Sequence, residues 1–369
     1  MSARTARKEL AALLGMPAAP PGRVTRAANA ARRGLARAHR SSAPPPIHVL
    51  EALLGVFDNR VLGLLVDLDI PERLDVPRTV TELAGDRYDP EQLDRVLRYG
   101  AGRGFIASDR SGRYSANAVT SVLRSDHPNS WRGWVEFASS DWFWDACRRA
   151  DAAIAVDGCS GVEAATGHEF FEFVSSVRPA AGRAFNDAMR AGATLQALGL
   201  AAVLDWSSVT SVCDVGGGTG AAAATLREHH EHLSATVFDL PEVAETVGGG
   251  LSAVGGDFFE EIPAGFDRYL LMAIVHDWDD ESAVRILANV ASALPPSSDA
   301  MVVEAPLSDR PRDSFEAASD LLMLCMASGR ERRLDEYQAL FDRAGLRLAD
   351  TTVLPTGFTA FRLVSPRVD

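Results

Sequence analysis

The sequence predicts an α/β protein in which a mainly helical N-terminal part, closed by a hairpin, precedes an open, doubly wound C-terminal domain. Three observations carry that prediction. Residues 209–215 (VTSVCDV) form a β-branched run that gives way to the glycine turn at 216–220 and then to the good helix formers of 221–227 (AAAATLR), which reads as strand, tight loop, helix. Two further strand-like runs, 235–239 (ATVFD) and 269–275 (YLLMAIV), alternate with helical segments as a parallel sheet requires. Upstream, apolar residues recur at three- and four-residue spacing.

At 369 residues, 47% hydrophobic and 24% charged, the chain can build two or three domains with cores of their own. No apolar run approaches the roughly 18 residues that cross a bilayer, and no secretory leader pattern opens the chain, so a cytoplasmic protein with no membrane partner is expected. Cys147, Cys159, Cys213 and Cys325 are scattered without CxxC spacing and read as free thiols. Residues 1–45 hold nine Lys and Arg against the single acid Glu9, which leaves 28 basic and 49 acidic groups beyond them. A body so acidic repels nucleic acid, and the basic tail is expected to be a mobile arm, or one helix lying on its own acidic body or on a partner subunit.

Taken in order, residues 28–40 suit a helix and 41–46 (SSAPPP) a linker. Residues 48–69 read as a helix pair, 79–85 and 90–100 as two more helices, and the segment around Asp109–Gly112 as a hairpin, together a winged-helix-like module. Its candidate groove helix sets Glu91 and Asp94 against Arg95 and Arg98, which suits dimerisation better than DNA binding. Between 130 and 200, aromatic clusters including Trp131, Trp134, Trp142, Trp144, Phe170 and Phe171 are mostly core, with some expected to line a pocket for a flat apolar molecule. The triplet His229, His230 and His232 is expected on a solvated helix end.

The glycine turn carries the chemistry. Gly216, Gly218 and Ala221 fit the dinucleotide pattern G-x-G-x-x-A, with Asp239 at the end of the next strand. The same stretch also reads Asp214, Gly216, Gly218, Gly220, with an acid at the strand end and a fourth glycine, which suits an amino acid joined to a nucleoside: S-adenosylmethionine. Asp239 can accept both hydroxyls of a ribose diol, and Asp257 beside Phe258 can accept an exocyclic amine next to an aromatic face. His276 falls at the carboxyl edge of the predicted sheet, where open α/β folds bind ligands. A phenol is a poor nucleophile until deprotonated, and a histidine steadied by a carboxylate is a suitable base for in-line methyl transfer. The acids Asp277, Asp279 and Asp280 raise a divalent-metal alternative, but a helix start favours acids in any case and no metal is expected.

The motifs DVGGGTG, FDLP, GDFF, HDWDD and GRER occur here in the order seen in the homodimeric S-adenosylmethionine-dependent O-methyltransferases, and the chain resembles that family over roughly residues 47–365. The family includes plant caffeate and flavonoid enzymes and bacterial enzymes that tailor aromatic polyketides. The resemblance implies a Rossmann-like domain with a seven-stranded sheet, a winged-helix dimerisation domain, and transfer of a methyl group to a phenolic hydroxyl of an aromatic natural product, leaving S-adenosylhomocysteine. It implies cofactor contacts from Gly216, Asp239, Leu240, Asp257 and Phe258, with Asp214, Gly218, Gly220 and Met272 beside them. His276 becomes the general base flanked by Glu304 and Glu331, and Met189, Asp277, Trp142 and Phe185 fall on the substrate side. Met272 stands where the family often has Lys, and Arg333 where Thr is usual. The implied divisions are an arm and linker at 1–45, a dimerisation domain at 46–125, a helical linker contributing to the substrate pocket at 126–200 and the methyltransferase domain at 201–369. Alternatives are a relative that binds the cofactor but decarboxylates or hydroxylates, a nicotinamide oxidoreductase, and a winged-helix regulator that binds DNA.

Overall fold

A computed structural model describes residues 3–14, 22–310 and 314–366. The chain divides into two compact units, one formed by residues up to 34, 145–173 and 192 onward, the other by 35–144 and 174–191. The tract at 126–200 is therefore shared between the two units.

The larger unit is built on a seven-stranded sheet. Its strands are β3 (Ser211–Val215), β4 (Ser234–Asp239), β5 (Ser252–Gly255), β6 (Arg268–Met272), β7 (Asp299–Glu304), β8 (Arg347–Val353) and β9 (Thr359–Val364), in spatial order β5-β4-β3-β6-β7-β9-β8. Strands β3 to β7 pair in parallel, and β9 runs antiparallel to both β7 and β8. The strand order reverses between β3 and β6, so a crevice opens at their carboxyl ends. These central strands are apolar along their length because both faces are covered. Along β6, Tyr269 and Leu271 join the cluster that holds Ile286, Leu287, Tyr337 and Phe341, while Leu270 joins the opposite one with Ala201, Met301 and Leu354.

The helix Ala3–Leu13 belongs to the second of those clusters. Ala6 and Leu10 are fully buried, and Arg7 Nε donates to the Ala202 carbonyl at 2.8 Å. This part of the basic arm is therefore docked on its own body through apolar residues, while residues 15–21 lie outside the described ones. The expected linker at 41–46 is mostly helix. Gly22–Ser42 is one helix and Pro45–Leu54 the next, because Ser41 and Ser42 bond back to the Ala38 and His39 carbonyls and a proline is pre-set to start a helix.

In the smaller unit, Val61, Leu65, Leu83, Leu93, Leu97 and Ile106 form a core closed by the hairpin of β1 (Ala107–Ser108) and β2 (Tyr114–Ser115). Thr79 and Glu82 make a capping box and Asp89 caps Pro90–Gly102, so the two short helices start where the sequence places them. The Pro45–Leu54 helix buries none of its residues, and Val49 and Leu53 are more than half exposed. No helix among the described residues is long and apolar enough to cross a membrane.

Candidate active site

The glycine turn leaves β3 at Val215. Gly216, Gly218 and Gly220 all adopt positive φ, at 68°, 56° and 83°, which side-chain-bearing residues rarely do. A Cβ on Gly216 would stand 2.6 Å from Ile274 Cδ1, so the turn passes tightly under the segment that leads to His276. The Gly218 N–H donates to Asp239 Oδ2 and the Leu240 N–H to Asp239 Oδ1, each at 2.8 Å. Burial raises the Asp239 pKa, and those two backbone bonds work against the rise. Each oxygen keeps a second lone pair for a ligand hydroxyl. Asp214 is 2% exposed, burial raises its pKa to about 7, and its Oδ2 has no hydrogen-bond partner. A buried acceptor without a donor beside a bare glycine turn fits a ligand that brings donors of its own. Phe258 lies against Gly216, and Asp257 accepts the Phe259 N–H at 2.7 Å. Met272 turns its side chain into the apolar cluster with Val303 and Leu354.

The predicted strand at 269–275 ends early. Pairing stops at Met272, Ala273 takes a φ of 55°, and Val275–Asp277 forms a short 3-10 turn that lifts His276 out of the sheet. Glu304 ends β7, with Oε1 accepting the Val275 N–H at 2.9 Å and Oε2 lying 3.2 Å from His276 Nδ1. Glu331 Oε1 lies 3.0 Å from the same Nδ1. A nitrogen facing two carboxylates carries the proton, which leaves Nε2 as the acceptor, 3.5 Å from Asp277 Oδ1. Glu304 and Glu331 are almost fully buried, and the Oε2 atom of each lacks a hydrogen-bond partner. Burial pulls the His276 pKa down, but Glu304, Asp277 and Glu331 outweigh it and raise it to about 10. Burial raises Asp277 to about 6, against the pull of the imidazole. Glu304 is likewise raised by burial, to about 7.

The loop carrying Glu331 is held against the histidine turn. A Cβ on Gly329 would fall 2.0 Å from the His276 carbonyl oxygen, so only glycine allows this approach. Arg332, fully buried, donates to the Val275 and Trp278 carbonyls at 3.0 and 2.7 Å and to Asp280 Oδ1 at 2.8 Å, and so brackets His276 on both sides. Trp278 in turn stacks on Phe171 and meets Phe258 edge-on, linking the histidine turn to the glycine turn. Sequence reasoning missed Arg332 and Trp278, although each sits inside a quoted motif.

The structure thus brings His276, Glu304, Glu331 and Asp277 together, and Asp214, the glycines, Asp239, Asp257 and Phe258 around the neighbouring strand ends. Met189, Trp142 and Phe185 belong to the other unit, where Trp142 is buried and both aromatics pack on Phe137. His276, Glu304 and Glu331 are the one set of three potential metal ligands among the described residues, with ligand atoms within 4.8 Å. Both carboxylates converge on Nδ1, Glu331 at 3.0 Å and Glu304 at 3.2 Å. Asp279 caps the following helix and Asp280 pairs with Arg330 and Arg332, which disperses the suggested acidic metal cluster. The expected solvated histidine face is corrected at His229, while His232 is exposed. His229 is 1% exposed and wedged between the Thr225 carbonyl and Glu9, because the N-terminal helix covers it.

A glycine turn and an acid-flanked histidine at the switch point of a parallel sheet define a group-transfer enzyme that uses a nucleoside-bearing cofactor. The chain belongs to the O-methyltransferase family, whose O-methyltransferase domain matches residues 131–347. The mitomycin biosynthesis 6-O-methyltransferase of Streptomyces lavendulae is 33% identical over 331 residues, 86% of this chain and 93% of that protein. Phenazine O-methyltransferase PhzM of Lysobacter antibioticus is 31% identical over 323 residues, 84% and 92% of the two chains. Among solved structures, CalO1, a methyltransferase in calicheamicin biosynthesis in its S-adenosylhomocysteine-bound form, matches with a TM-score of 0.78 at 26% identity over 87% of this chain and 98% of that one. The protein is an S-adenosylmethionine-dependent O-methyltransferase. Asp214, Asp239 and the glycine turn, Asp257 and Phe258 are placed where they could hold the cofactor.

Proposed function

We propose that this enzyme methylates a phenolic hydroxyl of an aromatic natural product, with His276 as general base. The observation that carries the reading is the contact of His276 Nδ1 with two buried carboxylates, which leaves Nε2 to accept a proton. S-adenosylmethionine supplies a methyl group on a sulfonium leaving group. The chain's own task is then to hold the acceptor in line and take its proton. A phenol of ordinary pKa, about 10, is matched by an imidazole raised to about 10, so proton transfer to Nε2 is close to balanced. Glu304 and Glu331 stabilise the imidazolium that forms. Asp277, 3.5 Å from Nε2, can accept a neighbouring hydroxyl or amine of the substrate. The aromatic character of the acceptor draws on the mitomycin and phenazine relatives.

We also infer a homodimer that buries the exposed apolar residues of Pro45–Leu54, and action in the cytoplasm, where free cysteines stay reduced. Light scattering tests the dimer, with Leu50→Lys/Leu53→Lys expected to yield monomer. The reaction is tested with methyl-labelled cofactor against a panel of phenols, their methyl ethers and matched anilines. Label on phenolic oxygen is expected. Label on nitrogen alone, or cofactor-dependent loss of carboxylate without methylation, would contradict the assignment.

A further inference from the structure

Glu331 is gripped at two points by one helix. From Phe315–Met326, the Ser319 hydroxyl donates to Glu331 Oε1 at 2.7 Å, and Asp320 Oδ1 accepts the Glu331 backbone N–H at 3.0 Å. The oxygen that Ser319 holds is the one facing His276 Nδ1. A helical serine ordinarily turns its hydroxyl back to the carbonyl one turn earlier, whereas Ser319, itself 8% exposed, reaches a residue 12 positions on. Glu331 Oε2 has no hydrogen-bond partner, so Oε1 bears the hydrogen bonding of this buried carboxylate.

We propose that Ser319 and Asp320 are positioning residues for methyl transfer: Asp320 sets where Glu331 enters the site, and Ser319 keeps its Oε1 turned toward His276. This rests on the reading of His276 as the base. Three other groups face the pair: Glu304 from β7, Asp277 from the histidine's own turn, and Tyr337 from the Leu334–Arg343 helix. Asp320 and Arg330 add their charges from either side of the Glu331 backbone. None of these replaces the Ser319 hydroxyl at Oε1. Without it, Oε1 is no longer held at Nδ1, the imidazolium is less favoured, and the base works from a lower pKa.

The test compares Ser319→Ala and Ser319→Thr by the pH dependence of kcat/KM, with cofactor affinity and melting temperature measured on the same samples. For Ser319→Ala the rising limb is expected to move down by about half to one pH unit and the plateau above it to fall about three- to tenfold, as loss of one hydrogen bond to a charged group implies. KM for the cofactor should not change, and Ser319→Thr should restore the limb. A Ser319→Ala enzyme that melts like wild type and keeps both its limb and its kcat overturns the proposal. Normal turnover in His276→Ala would remove the base reading and this assignment together. Loss in His276→Ala beside an unchanged Ser319→Ala removes only this one.

Discussion

Replacing Glu304 by Gln keeps the shape of the site and removes one charge. The Gln amide oxygen can still accept the Val275 N–H, which preserves the turn under His276. What is lost is a buried carboxylate oxygen 3.2 Å from Nδ1. At an effective dielectric of about 20, two unit charges at that separation attract by roughly 5 kcal/mol, or about 3 to 4 pH units. Glu304, raised to about 7, is only partly ionised near neutrality, which reduces the working effect to roughly one to two units. The assay is the pH dependence of kcat/KM, which reports the free enzyme's ionisations. In wild type the profile should climb through neutrality toward pH 10, because a His276 that serves as the proposed base must first lose its proton. In Glu304→Gln the limb should shift down by one to two units, and the plateau should fall by about tenfold or more as the imidazolium loses a partner. A limb that stays in place would refute the claim that Glu304 sets the basicity of His276.

Asp239→Ala should weaken cofactor binding by about ten- to a hundredfold in calorimetry while kcat at saturation changes little, since its oxygens organise the glycine turn and not the base. Gly329→Ala puts a Cβ 2.0 Å from the His276 carbonyl, so it should cost on the order of 1–3 kcal/mol in urea unfolding and displace the histidine turn, with turnover lost in the folded fraction. Asp277 binds its proton more tightly folded than unfolded, so its contribution to stability is present below about pH 4 and is lost as pH rises through about 6. Asp277→Asn should therefore gain on wild type by up to about 3 kcal/mol between pH 4 and 7, read from paired urea titrations.

The local parts of the site were legible because they are local. A strand, three positive-φ glycines and an acid at the next strand end lie within one short stretch, and the hairpin and helix caps of the smaller unit are likewise written in neighbouring residues. Glu304 and Glu331 could be assigned only through the family resemblance, since spacing does not tell which carboxylates meet an imidazole. Arg332 and Ser319 make their contacts across 57 and 12 residues, so even a motif that contains Arg332 does not say what it holds. His229 is the same case, since its partner Glu9 lies 220 residues away on the N-terminal helix. The proline-rich linker failed for another reason: prolines that can end one helix can equally begin the next.

His276→Ala, compared with wild type for transfer of a labelled methyl group and for S-adenosylhomocysteine affinity, tests the proton-acceptor role most directly. Turnover should fall by at least about a hundredfold while affinity stays within about twofold. Unchanged turnover, with cofactor bound as in wild type, would contradict it.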